Sequence, residues 1–215
     1  MSVQADRAAQ VRTGVWVEVF TVLWMIVEAA VSIGAGVLAG SALLVAFGID
    51  SVIELVSGAI LLWRLWGEAR GEGSKQVERA EHRAAWVVAI SLALLCLYVL
   101  VTSIYGLLTR ARPEGSLVGI VIAAAAVVVM PLLGVTKRRL AARLDSGALR
   151  GDAASSFTCG YMAATVLLGV GLNALFHWWW AEDVAALVFL FWLVGETREA
   201  FEEAREGRLD KDEDA

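Results

Sequence analysis

A chain of 215 residues that is 59% hydrophobic and only 19% charged, with a mean hydropathy of +0.67, lies outside the range of soluble domains, which are about 45–50% apolar and roughly 25% charged. The formal net charge of −5 offers no basic surface to a nucleic acid. Two cysteines, Cys96 and Cys159, and two histidines, His82 and His177, exclude a disulfide framework and any structural zinc spacing, and leave histidine-based catalysis almost no material.

The apolar residues come in blocks long enough to cross a bilayer. Residues 1–14 are polar, with Arg7 and Arg12; Asp6 and Glu28 make the start a poor signal peptide, so the expectation is a cytoplasmic N-terminus and a first span at 15–36. A Gly/Ala/Ser turn at 37–40 leads to a second span at 41–66, and a charged loop at 67–83 holds His82. The third span is expected at 84–108 and the fourth, free of charge, at 117–135, with Pro131 kinking or ending it. The basic residues Lys137, Arg138, Arg139 and Arg143 then read as a loop. A fifth span at 153–175 runs into aromatic residues 176–180, suited to a membrane interface. A sixth at 181–195 precedes a charged tail, 196–215, whose spacing fits an exposed helix with i,i+4 pairs. The fold class expected is all-α integral membrane, a six-helix bundle over 15–195 without a soluble C-terminal domain.

Charge sets the orientation. With six spans and both termini in the cytoplasm, every one of the 18 Lys and Arg residues except Arg110 and Arg112 faces inward, as the positive-inside rule requires. The expected location is the cell (inner) membrane.

The carboxylates read as intramembrane are Glu28 in the first span and Asp50 and Glu54 in the second. Asp50 and Glu54 are four residues apart, which puts them one turn apart on one helix face. Each costs about 2.5–3.5 kcal/mol at mid-bilayer, and the pair repels; a cation relieves both penalties. The fifth span adds Asp152 at its rim, then Ser155, Ser156 and Cys159. At about 1.5 Å per residue, Glu54 and Cys159 reach nearly one level, with Glu28 and Asp50 together slightly further out. Taken singly, Asp152 also suits a helix N-terminus, and Cys159 also reads as a small buried apolar residue. Spans three and six are expected outside this polar bundle. Gly36 with Gly40, and Ala30 with Gly34, read as small-residue packing pairs.

The stretch 40–58, GSALLVAFGIDSVIELVSG, resembles the second-span motif of the cation diffusion facilitator family, roughly SxALLADGxHSxxDxxSG. The resemblance puts Asp50 on that motif's first metal position and Glu54 on its second. Residues 148–159, ALRGDAASSFTC, resemble the fifth-span motif ALxADAxHxxxD: Asp152 matches the leading Asp, while Ser155 and Cys159 stand where the family carries its ligands. Residues 180–183 look like the family's entrance to the sixth span. The departures are Glu for Asp at position 54 and the Ser and Cys of the fifth span. The chain looks like a short branch made of the membrane domain alone.

What the resemblance implies is a transporter, not an enzyme: export of a divalent metal in exchange for protons, by a homodimer in the lipid bilayer. The candidate metal ligands are Asp50, Glu54, Cys159, Ser155, Asp152 and Glu28. Zn2+ is the foremost substrate expected, with Cd2+, Mn2+, Fe2+ and Co2+ also open, and no organic cofactor. A thiol favours the softer ions and carboxylates the harder ones. The alternative kept open is a membrane protein of the same fold that binds metal as a sensor, or serves as a scaffold, without transport. No HExxH, phosphate loop or nucleophile–base pair supports an enzyme.

Overall fold

The described residues form six α-helices in a computed structural model, which covers the backbone of 2–70, 75–144 and 147–213 and the side chains of 10–63, 86–144, 149–202, 204 and 205. These are α1 (Ser2–Ala39), α2 (Ala42–Arg70), α3 (Lys75–Thr109), α4 (Leu117–Leu144), α5 (Gly147–Phe176) and α6 (Ala181–Glu213). The His82 side chain and most of the charged loop expected around it lie outside the described side chains.

Local chemistry explains the turns. Gly40 takes φ +64°, a left-handed conformation that suits glycine, and the Ser41 N–H bonds back to the Gly36 carbonyl at 2.9 Å. Ser41 Oγ then accepts the Leu44 N–H at 3.3 Å, and Ser116 Oγ accepts that of Gly119 at 3.0 Å; each hydroxyl caps the helix that follows. Arg110 (φ 53°) and His177 (φ 54°) end α3 and α5 in the same left-handed region.

Among the described residues, five helices hold stretches long and apolar enough to cross a membrane: Gln10–Ala39, Ala42–Trp63, Trp86–Thr109, Leu117–Leu144 and Leu149–Phe176. The exception is α6, whose apolar middle is bracketed by Glu182 and Asp183 at its start and by Glu196 beyond Val194. Leu38, Leu97, Leu108, Val121, Leu168 and Phe191 are exposed on the outer faces, as lipid contact demands where every backbone group is already bonded within its helix. Phe176, Trp178 and Trp180 stack at the α5–α6 turn with ring centroids 5.4 and 5.2 Å apart.

The closest pairings are α1 with α2, α4 with α5, and α3 with α6, while α6 also touches α5 and α2. Buried Phe47, Met130, Met162, Val166 and Phe189 join α2, α4, α5 and α6 into one core. At Gly48 a Cβ would sit 2.6 Å from Ile33 Cγ1 and 2.9 Å from its backbone N, so glycine is what lets α2 lie against α1 beside the acids. Gly36 packs equally tightly on Val45, but Gly34 meets nothing within 4 Å and Ala30 is exposed; among the described residues that second small-residue pair packs no neighbouring helix. Beyond the core, Glu182 accepts from Ser41 Oγ and, at 2.7 Å, from Asn173 Nδ2, which also reaches the Pro113 carbonyl. One carboxylate thus ties α2, α5, α6 and the α3–α4 loop together.

Three boundaries differ from the sequence reading. Of the charged loop expected at 67–83, residues 67–70 belong to α2 and 75–83 to α3, because helical geometry runs past the apolar stretches. Pro131 does not end α4, which continues to Leu144; Gly160 of α5 leaves room for the proline ring, since a Cβ there would come within 2.9 Å of Pro131 Cγ. The residues read as a basic loop are therefore the last turns of α4. The charged tail is likewise no separate element but the continuation of α6.

Candidate functional site

Asp50 and Glu54 point from α2 into the centre of the bundle. Asp50 is 0% exposed, and among the described residues neither of its carboxylate oxygens has a hydrogen-bond partner. Glu54 is also buried; its Oε1 accepts from Ser155 Oγ of α5 at 2.9 Å, and its Oε2 is unpartnered. A third acid completes the group. Glu196 of α6 offers an oxygen that lies, with one each from Asp50 and Glu54, in a set all within 4.8 Å of one another.

Beside this group Glu28 of α1 forms a second, fully bonded cluster. Its Oε1 accepts from Ser51 Oγ of α2 at 2.8 Å and faces Cys159 Sγ of α5 at 3.8 Å. Its Oε2 accepts from Trp24 Nε1 at 2.6 Å. The Cys159 thiol also faces Glu54, so it lies between the two clusters. Ser156, considered above as a further ligand, instead donates to the Asp152 carbonyl of its own helix at 3.1 Å.

Asp152 is placed elsewhere. Its Oδ2 is 2.5 Å from Lys137 Nζ, and the same ammonium is 3.2 Å from Glu18 Oε2. The Lys137 and Glu18 side chains are completely buried. This ion triad joins α1, α4 and α5 next to a small apolar cluster of Val11, Leu61, Leu140, Ala141, Leu144 and Leu149. One positive charge against two negatives needs such close contact, because an unpaired ion at this burial is costly.

The family model for the cation efflux transmembrane domain matches residues 19–206. The chain belongs to the cation efflux family. Its members transport divalent metal cations across membranes, and this cation efflux chain is accordingly a multi-pass membrane protein. The matched span contains α2 to α5 whole and the greater part of α1 and α6, with both carboxylates of α2 and Glu196.

Of the six residues singled out from sequence, five are brought together: Asp50, Glu54 and Ser155 in one group, Glu28 and Cys159 in the adjoining one. Asp152 belongs to the Lys137 triad. Three residues were missed. Glu18 lies within the first apolar stretch and could have been counted there; Lys137 was read as a loop charge. Glu196 was assigned to the tail because the apolar run stops one residue earlier at Gly195, although helical spacing continues through it.

Proposed function

We propose that this cation efflux protein is a secondary transporter that moves a divalent metal out of the cytoplasm in exchange for protons. Asp50 and Glu54 hold the cation. Ser155 orients Glu54, and Cys159 with Glu28 closes the site from α5 and α1. The observation that carries this reading is the buried Asp50 carboxylate with both oxygens unsatisfied, a costly arrangement unless a proton or a cation visits it. Metal ligands must be deprotonated to bind, so metal and protons compete for the same oxygens, and that competition couples their movements. The distribution of Lys and Arg supports cytoplasmic termini in the cell membrane, and the exposed apolar faces leave room for a second copy of the chain.

Purified protein in liposomes loaded with a metal-sensitive dye tests this. Flux is expected to rise with an opposing pH gradient. Asp50→Asn and Glu54→Gln are each expected to lower it by at least about tenfold, with elution profile and melting temperature retained. Parent-like flux in both variants refutes the site. Metal binding without flux in the parent would make the protein a sensor, and neither binding nor flux would make it a scaffold.

A further inference from the structure

The apolar run of α6 ends at Val194, but its packing does not. Leu193 is completely buried. Thr197 Oγ1 lies 3.4 Å from Cys96 Sγ of α3, and Phe201 meets Trp86 edge-on with ring centroids 6.0 Å apart. These contacts fix the rotation of α6 against α3 on both sides of Glu196. The result is the set of Asp50, Glu54 and Glu196 oxygens within 4.8 Å.

Three acids near one another do not by themselves make a site. What distinguishes this group is that Asp50 is entirely buried with both oxygens unpartnered, and that Glu54 Oε2 is unpartnered too. Among the described residues none of the three is ion-paired with a Lys or Arg; the one buried ammonium is taken by Glu18 and Asp152. Like charges at this range repel strongly away from water, and a dication between them turns repulsion into attraction.

We propose that Glu196 is a third carboxylate ligand, supplied by α6, and that the completed site takes an oxygen-preferring divalent cation of the Mn2+ class. This rests on the reading that Asp50 and Glu54 hold the transported cation. The free oxygens, on Asp50 and Glu54, are carboxylate oxygens; of the two thiols close by, Cys96 Sγ is engaged by Thr197 Oγ1 at 3.4 Å and Cys159 Sγ is shared between Glu28, at 3.8 Å, and Glu54. Carboxylate sets suit Mn2+, while thiolate is what selects softer ions. Bonds of roughly 2.0–2.6 Å to oxygen, typical of such dications, require the three side chains to close only slightly around the ion.

The test uses the full chain, as parent, Glu196→Gln, Glu196→Asp and Asp50→Asn, with Mn2+ and Cd2+ as probes. Binding is read by calorimetry in detergent, and flux in liposomes. The parent is expected to bind Mn2+ more tightly than Cd2+. Glu196→Gln is expected to lower Mn2+ affinity by at least about tenfold and Cd2+ affinity by less, and Glu196→Asp to restore part of the loss. A purely packing role would weaken both ions alike, so equal losses overturn the proposal even if Glu196→Gln also melts earlier. If Glu196→Gln matches the parent while Asp50→Asn loses both binding and flux, the third ligand is refuted and the transport reading stands. If Asp50→Asn also matches the parent, both fall. Tighter binding of Cd2+ than of Mn2+ by the parent overturns the cation class.

Discussion

Glu28 and Asp50 are both fully buried, yet their surroundings differ in kind. Glu28 receives an indole N–H and a hydroxyl and faces a thiol; Asp50 receives nothing. A buried carboxylate with donors on both oxygens is part of the scaffold, whereas one with none is poised for a partner from outside the chain. Cys159 belongs on the scaffold side of that division. Cys159→Ser keeps a donor near Glu28, and a single such bond is worth only about 1 kcal/mol net. Its Mn2+ affinity, measured by calorimetry, is therefore expected to stay within about threefold of the parent. A loss beyond tenfold would instead make the thiol a metal ligand. That Asp50 and Glu54 share one buried helix face was legible in the sequence because it needs only local information: two acids at helical spacing inside an apolar run. Which of the neighbouring polar groups are already satisfied was not, since their partners come from three other helices.

At the scale of elements, α4 and α6 both outlast their apolar runs, and in each case a charge beyond the run turns inward. Composition cannot distinguish a lysine that reaches out to water from one that bonds within the bundle; Lys137 was tallied as an inside-loop charge yet is buried between Glu18 of α1 and Asp152 of α5. The order and direction of the helices survive that error, because orientation depends on the sum of many basic residues. The register of one helix against another does not follow from such sums. Removing the ammonium leaves the buried Glu18 and the half-buried Asp152 without their counter-charge, so Lys137→Met is expected to destabilise the bundle by about 3–5 kcal/mol. The expected reading is a lower melting temperature in detergent. Adding Glu18→Gln and Asp152→Asn, which removes the stranded charges, is expected to recover most of the loss. Failure of the triple variant to recover would mean that Lys137 matters for its packing alone.

For the molecule as a whole, the decisive quantity is the charge that the bundle carries across the membrane. The Lys137 triad is held by contacts on both sides, so on the proposed reading the variable charge is that of the Asp50, Glu54 and Glu196 group. A site enclosed by apolar helices is most stable when near neutral in every state it passes through. Protonated on all three acids it is neutral; with a dication bound it is neutral again if one acid keeps its proton. On the exchange proposed above, one dication would trade for two protons with no net charge crossing. A net charge moved through 100 mV is worth about 2.3 kcal/mol, roughly fiftyfold in equilibrium accumulation, so the distinction is easily measured. In liposomes with a potassium diffusion potential set by valinomycin and no pH gradient, Mn2+ accumulation is expected to be unchanged. A pH gradient imposed at zero potential is expected to drive it. Accumulation that follows the potential would mean that an uncompensated charge travels with the ion, and the three acids would not share a single proton in the loaded state.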